Sequence, residues 1–242
     1  MPQGFKDGAG KPMRRREFLR TTAIGCAASA FPRWLLAQSQ NGLPNVLLLG
    51  DSISVGYTQF VQELLKGKAN VKRPLRENGD PENCLGTTNG VSHIDRWLGD
   101  TRWDVIHFNF GLHDLKHVDP VTRRPSENPE HPQEADLTTY RKNLTEIVKK
   151  LVATEADLIF ATTTPYPDKP DGPVRRADQP AKYNEVALKI MKQFGVMIDD
   201  LYSFALPRLT ETQRPHNVHF TDEGSKGLAK QVAEKILMSI QG

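Results

Sequence analysis

Short apolar runs alternate with amphipathic segments along most of the chain, and this alternation constrains the fold more than any other feature. Runs such as Val46–Leu49 and Val105–Phe108 are typical of parallel strands that are buried on both faces. Between such runs, apolar residues recur at helical spacing, as in Leu137–Val152. Strand–helix repetition implies right-handed crossovers, so we expect an α/β fold: a three-layer sandwich with a flavodoxin-like parallel sheet of about five strands and helices on both faces. The predicted strands are 45–50, 70–76, 104–110, 157–163 and 196–201, and the predicted helices are 57–65, 91–98, 137–152, 182–193 and 222–240.

The first 37 residues have the order of parts that an export signal has. Arg15 and Arg16 stand in a twin-arginine pattern, a mildly apolar stretch follows over 21–31, and Ala37 ends a small-residue cleavage site. The alternative is a basic tail. The pattern predicts that 1–37 is a twin-arginine signal peptide, recognised by the twin-arginine export machinery, and that the mature protein is periplasmic or extracellular.

The remaining residues, 38–242, are expected to form a single domain. Residues 1–37 hold seven Lys/Arg and two Asp/Glu, which leaves 25 basic and 27 acidic residues in the mature chain, so nucleic-acid binding is not expected. No later apolar stretch is long enough for stable membrane insertion. Cys26 could be read as a lipoprotein site, but Ala23 stands where such sites usually have Leu, so this reading ranks second.

A serine follows the first predicted strand directly, in Gly50-Asp51-Ser52-Ile53. The carboxyl edge of a parallel sheet is where open α/β folds place their chemistry, so Ser52 is a candidate nucleophile. The alternative is that Ser52 is a helix N-cap, a position that serine favours. The two roles are compatible, because a helix start also directs backbone N–H groups at a developing oxyanion.

Two histidines complete the candidate site. His219 stands just before the last predicted helix, and its imidazole has the pKa range of a general base; the alternative is a surface histidine at a helix start. His113 and Asp114 follow the predicted third strand, where they could supply an oxyanion donor and its support, or simply a turn. A zinc site is a further alternative, because His113 and His117 are four residues apart. Pro120 argues against the helix that this spacing requires, so we expect no metal.

Gly50-Asp51-Ser52-Ile53 and the histidine before the last helix resemble the SGNH hydrolases, also called GDSL-type esterases and lipases. The resemblance covers about residues 45–240 and implies a serine nucleophile, an oxyanion-hole Gly, an oxyanion-hole Asn in Gly-x-Asn-Asp, and an Asp-x-x-His pair. Gly86 matches the oxyanion-hole Gly of the family. His113 stands where the family has Asn, so the backbone N–H groups of Ser52 and Gly86 and the His113 side chain are expected to hold the oxyanion.

The acidic member of the triad is missing from its family position, which holds His216. The sequence therefore predicts a serine–histidine dyad in which a backbone carbonyl or Asn217 orients His219. The alternative is a relocated carboxylate, for which Asp222 and Glu223 are the nearest candidates.

Three further polar side chains, those of Asp51, Asp114 and Asn217, are predicted to contact the substrate. Two proline-rich connections, 116–136 and 165–180, follow strands that carry site residues, so they either border the active-site mouth or form solvated insertions.

Together these patterns predict an exported serine hydrolase that cleaves oxygen esters through an acyl-enzyme without a cofactor. The resemblance implies a carbohydrate O-acetylesterase acting on a small-molecule or carbohydrate ester. The alternatives are a lipid-ester or thioester hydrolase of the lysophospholipase kind, and a non-catalytic carbohydrate-binding protein on an SGNH scaffold.

Overall fold

Five parallel strands form one sheet in the part of the chain that the structure, a computed structural model, describes, which is residues 42–241. The strand order is β2-β1-β3-β4-β5, the flavodoxin-like order. The predicted α/β fold with a five-stranded parallel sheet is confirmed. The strands are β1 Asn45–Leu49, β2 Asn70–Lys72, β3 Val105–Phe108, β4 Asp157–Ala161 and β5 Met197–Asp199.

Helices cover both faces of this sheet. The first and last helices pack against each other, and the second, third and fourth pack in series. The connection from β1 to β2 runs toward one edge of the sheet, and the later connections run toward the other edge. Because all of these crossovers are right-handed, the two sets of helices lie on opposite faces. The helices are α1 Ser52–Leu64, α2 Thr87–Leu98, α3 Leu137–Val152, α4 Gln179–Phe194, α5 Leu201–Ala205, α6 Leu209–Thr212 and α7 Asp222–Gln241, with a 3₁₀ turn at Leu206–Arg208.

The core lies between the sheet and its two helical layers. Val46–Leu49 of β1 is fully buried, as its uninterrupted apolar sequence predicts. The apolar side of α3 is also buried, and each large aliphatic side chain in it contributes about 1.5–3 kcal/mol by leaving water. The buried residues of α3 are Tyr140, Leu144, Ile147, Val148 and Leu151.

Several predicted boundaries are wrong by a few residues. Helix α1 begins at Ser52 rather than Tyr57, because the Asp51 side chain caps it by accepting a hydrogen bond from the backbone N–H of Ile53. Strand β2 ends at Lys72 because Arg73 turns inward and the next residue is Pro74, which has no N–H to donate. Helices α5 and α6 were not predicted, since elements of four or five residues show no periodicity.

The predicted signal peptide lies outside the described residues, and so do Arg15, Arg16, Ala37 and Cys26. The predictions about export and anchoring therefore stay predictions. Within residues 42–241, no helix has the length and apolar character that crossing a membrane requires.

Candidate active site

Ser52 is the first residue of α1 and lies at the carboxyl end of β1. Strand β1 stands between β2 and β3, where the direction of strand addition reverses, and open α/β sheets bind ligands at this switch point. The N-cap residue is Asp51, so Ser52 is free of the capping role and its side chain is half-buried at the sheet edge.

His219 faces this serine from the segment that precedes α7. The Ser52 hydroxyl oxygen lies 2.8 Å from His219 Nε2. On the other side of the ring, His219 Nδ1 lies 2.7 Å from Asn217 Oδ1, which also accepts the backbone N–H of His219 at 3.0 Å. Since that backbone group can only donate, the atom facing it is the amide oxygen. Nδ1 therefore carries the proton, and Nε2 is free to accept the serine proton.

The pKa of His219 is lowered by burial first, and then by the nearby charges of Arg214 and Arg175. A lowered pKa keeps the imidazole neutral near pH 7, which is the state a general base needs. Neither of the two alternative acids contacts the ring. Glu223 pairs with Lys226 at 2.7 Å, and Asp222 is exposed at the start of α7.

Asn217 lies on the side of the His219 ring opposite Ser52. Asn217 Oδ1 accepts two hydrogen bonds from His219, so Asn217 lies behind the histidine, and its contact with the substrate stays a prediction. His216 is exposed with a backbone φ of 51°, and its carbonyl accepts a hydrogen bond from Asp171 N at 2.7 Å. Asn217, two residues before His219, thus provides the acceptor that a carboxylate provides in a full triad.

Gly86 is the N-cap of α2 and is buried. Its backbone N–H and that of Ser52 have no acceptor among residues 42–241, so both are available to an anion. The preceding Leu85 has a φ of 58°, a conformation that L-residues rarely adopt. A side chain at position 86 would place its Cβ 3.0 Å from Asp114 Oδ2, so a residue larger than glycine would press on this buried carboxyl.

Asp114 connects the loop after β3 to the start of α2. Its carboxylate accepts hydrogen bonds from the backbone N–H of Thr87 at 2.8 Å and from the Thr87 hydroxyl. The side chain is completely buried, and burial raises its pKa to about 7. Asp114 is therefore a support beneath the Gly86 turn, and its contact with the substrate stays a prediction.

Asp51 is also buried rather than open to a ligand. Its Oδ1 accepts the Ile53 N–H at 2.9 Å, and burial raises the pKa of the carboxyl to about 6 despite that bond and the charges of Arg175 and Arg73. The contact of Asp51 with the substrate likewise stays a prediction.

His113 lies on the loop after β3, half-buried, with its Nδ1 3.0 Å from Lys116 Nζ. Burial first, and then the charges of Lys116, Arg175 and His219, lower the pKa of His113 to about 3. The ring is therefore neutral at ordinary pH, and its Nε2–H is a donor that an oxyanion could use. The role itself stays a prediction.

Sequence reasoning missed Arg73, which is buried beneath the site. Its guanidinium donates to the carbonyl of Gly50 at 3.3 Å and to that of Glu82 at 2.7 Å. It also donates to the hydroxyls of Ser54 at 3.3 Å and Thr58 at 2.7 Å. Arg73 thus joins the serine turn to the loop that leads to Gly86. Carbonyl and hydroxyl acceptors leave no sequence pattern, so no signal could have identified this residue.

The two long connections contact each other and the histidine segments. The backbone N–H of His117 donates to Val174 O at 3.0 Å, and Arg175 Nε donates to Leu112 O at 3.4 Å. Since 165–180 also reaches His216 through Asp171, both connections border the segments that carry the candidate site. Whether they contact a substrate stays a prediction. No group of three potential metal-binding side chains occurs among residues 42–241.

Residues 48–226 match the model of the GDSL-like lipase/acylhydrolase family. This range contains Ser52, Gly86, His113 and His219. A hydrolase family favours an enzyme over the non-catalytic carbohydrate-binding protein considered above. The comparison with curated proteins found no match.

Solved structures of similar fold include esterases and an acylhydrolase. The acetyl xylan esterase AlAXEase is 16% identical with a TM-score of 0.62, over 79% of this chain and 99% of that one. The lipase/acylhydrolase from Enterococcus faecalis is 19% identical with a TM-score of 0.61, over 80% and 95%. A carbohydrate esterase family 3 protein from Talaromyces cellulolyticus is 18% identical with a TM-score of 0.58, over 82% and 99%. At these identities the likeness supports the fold.

Proposed function

The chain belongs to the GDSL-like lipase/acylhydrolase family and is a carboxylic ester hydrolase, and from this we propose that it is an exported serine esterase that removes O-acetyl groups from carbohydrate. The observation that carries the serine mechanism is the 2.8 Å distance between Ser52 Oγ and His219 Nε2. A serine hydroxyl is a weak nucleophile until a base takes its proton, and the pair is placed for that transfer.

In the first half of the reaction, Ser52 Oγ attacks the ester carbonyl carbon while its proton moves to His219 Nε2. The carbonyl oxygen becomes an oxyanion, which the free N–H groups of Ser52 and Gly86 and the Nε2–H of His113 would stabilise. The intermediate then collapses: the bond to the leaving alcohol breaks, and His219 Nε2 gives its proton to the departing oxygen. The acyl group stays on Ser52.

In the second half, a water molecule attacks the acyl carbon and gives a proton to His219 Nε2. Collapse of the second intermediate breaks the bond to Ser52 Oγ, which takes the proton back, and the carboxylic acid leaves. Asn217 holds the Nδ1–H throughout, so the ring keeps the orientation and tautomer that both transfers require. The steps use protein groups and water, without a cofactor.

Replacement of the serine tests this mechanism most directly. Ser52→Ala deletes the nucleophile, so turnover of p-nitrophenyl acetate should fall to near the uncatalysed rate; the upper bound is the loss of about 10⁶-fold seen when a complete triad loses its serine. Ser92 is exposed on α2, so Ser92→Ala is a matched control. A fluorophosphonate probe should label the wild type and the Ser92→Ala protein but not the Ser52→Ala protein. Equal labelling of the Ser52→Ala protein would mean that another residue is the nucleophile.

The substrate proposal draws support from structures of similar fold that are named an acetyl xylan esterase and a carbohydrate esterase family 3 protein. A lipid ester or thioester is the second candidate, because another similar structure is named a lipase/acylhydrolase. Acetylated xylan, p-nitrophenyl esters of increasing acyl length, a lysophospholipid and an acyl thioester should be compared by kcat/KM. Release of acetate from the polysaccharide should exceed the other activities; a preference for long acyl chains or the thioester would favour the second candidate.

Export is proposed from the twin-arginine pattern at Arg15 and Arg16. Replacement of both residues by Lys should leave precursor in the cytoplasm, whereas the exported wild type should begin near Gln38. Normal export of the double-Lys protein would contradict this route, and a lipid-modified N-terminus would instead support anchoring at Cys26.

A further inference from the structure

Lys116 lies against His113 in an environment that is unusual for a lysine. Its side chain is largely buried, with the whole residue 8% exposed. The ammonium nitrogen lies 3.0 Å from His113 Nδ1 and 2.7 Å from Glu134 Oε2. The backbone of Glu134 is held to the same residue, since its N–H donates to Lys116 O at 2.8 Å. The ammonium is therefore fixed between a carboxylate and an imidazole.

This arrangement determines which ring nitrogen of His113 carries the proton. An ammonium group has three donors and no acceptor, so the imidazole atom that faces it must accept a hydrogen bond. Nδ1 is then unprotonated, and a neutral ring has its proton on Nε2. Protonation of both nitrogens would place an N–H against the ammonium, and two positive charges would repel each other at 3.0 Å.

We propose that Lys116 is a positioning residue that holds His113 in the Nε2–H tautomer, so that this histidine can replace an amide as the side-chain donor of the oxyanion hole. An asparagine amide presents N–H donors in one protonation state, whereas an imidazole presents one only in the correct tautomer. The positive charge behind the ring also polarises the Nε2–H toward negative charge, which strengthens the donor as the oxyanion forms.

Glu134 explains how a lysine can be kept in this position. A buried ammonium without a partner would lose much of its hydration energy, and a carboxylate at 2.7 Å offsets that loss. Glu134 belongs to the proline-rich connection 116–136, so the inference gives this connection a role in the site: it supplies the anion that holds Lys116 beside His113.

The proposal rests on the oxyanion role of His113 and is tested first by a readout that does not depend on turnover. In protein labelled with ¹⁵N-histidine, long-range ¹H–¹⁵N correlations distinguish a protonated from an unprotonated ring nitrogen, and the His113→Asn protein identifies the signals. The wild type should show His113 with Nε2 protonated. Lys116→Met should populate the Nδ1–H form or the imidazolium, whereas Lys116→Arg, which also has donors alone, should retain the wild-type pattern. An unchanged His113 signal in Lys116→Met would overturn the proposal.

A double-mutant cycle tests the catalytic consequence. Lys116→Met should lower kcat by about 10-fold or more with little change in KM. The upper bound is the loss of about 10²–10³-fold expected when a whole oxyanion donor is removed. The same substitution in the His113→Asn protein should change kcat less than about 2-fold, because an amide has no tautomer to fix. An equal loss in both backgrounds would show that Lys116 acts on folding alone and would overturn the proposal.

Two controls separate this inference from the mechanism it depends on. Lys150 lies away from the site, and its ammonium pairs with Asp95 at 2.7 Å. Lys150→Met should therefore leave kcat unchanged. Lys116→Leu, which also removes every donor, is a second loss variant if Lys116→Met does not fold. Wild-type kcat in His113→Ala would overturn the proposal, whereas failure of the serine mechanism would appear separately, in the fluorophosphonate labelling of Ser52→Ala.

Discussion

Asn217 provides a neutral acceptor to a histidine that usually has a charged one, and its replacement by Asp should increase activity. Asp has nearly the same shape as Asn, so its carboxylate should occupy the place where Oδ1 now lies, 2.7 Å from His219 Nδ1. The same oxygen would keep its bond to the His219 backbone N–H, now 3.0 Å long. The Asn217 Nδ2 atom donates to no group in residues 42–241, so no existing bond should be lost.

The size of the effect follows from the kind of hydrogen bond. A neutral hydrogen bond contributes about 0.5–1.5 kcal/mol, so Asn217→Ala should lower kcat by about tenfold, far less than the roughly 10⁴-fold loss of a triad that loses its Asp. A charge-assisted bond is roughly twice as strong, and the carboxylate would stabilise the imidazolium of the transition state. Asn217→Asp should therefore raise kcat by about fivefold, measured above the new pKa of the base.

The pH profile provides the independent readout. A carboxylate within 4 Å raises a histidine pKa by about 1–3 units, so the acid limb of kcat/KM in Asn217→Asp should move to higher pH by about one unit or more. Asn128→Asp adds the same charge at an exposed loop position and should leave the limb in place. If Asn217→Ala retains full activity, or if the limb in Asn217→Asp does not move, Asn217 does not orient His219 and another group does.

Two further predictions concern charges around the site. Arg175→Met should raise the pKa of His219, because the arginine charge helps to lower it, and the acid limb of kcat/KM should move to higher pH; a limb that moves to lower pH would contradict this. Asp114 has its pKa raised from 3.8 to about 7, so its contribution to stability is fully present below about pH 4 and is lost as the pH rises through about 7. Asp114→Asn should therefore gain about 2–3 kcal/mol relative to the wild type between pH 5 and pH 8 in urea unfolding, and a constant difference would show that Asp114 is ionised in the native state.

The fold was predictable because its strands and helices are long enough to show their own period. The run Val46–Leu49 is buried as its composition predicts, and Leu137–Val152 is the helix that its spacing predicts. Residues 201–212 were not predicted, because each short helix there is stabilised by packing and by caps such as Asp200, whose side chain accepts from Ser203 N. One turn of helix contains too few residues to show an apolar period.

The site was predictable where a residue type stands at a strand end or a helix start. Ser52 and His219 have such positions, and the structure places them in contact although 167 residues separate them. Glu134 and Arg73 lie in connections, where residue type and position do not indicate a role in the site. Each is identified by distances to atoms far away in sequence, and those distances depend on how the connections fold over the sheet edge.

Both departures from the family pattern involve a histidine, and in both the lost function has a substitute close by in sequence. His216 stands in place of an acid, and Asn217 beside it provides the acceptor for His219. His113 stands in place of an amide, and Lys116, three residues further on, faces its Nδ1. Hydrogen bonds act over about 3 Å, so a substitute must lie on the same segment or on one packed against it.

The two substitutes, Asn217 and Lys116, are not equal in strength. An amide stabilises an imidazolium less than a carboxylate does, whereas an ammonium behind a neutral ring strengthens its donor. If His113 and Lys116 act as proposed, the deficit of this site lies in the base and not in the oxyanion hole. Esters with good leaving groups need less help from an imidazolium acid, so they should be hydrolysed with the smallest loss.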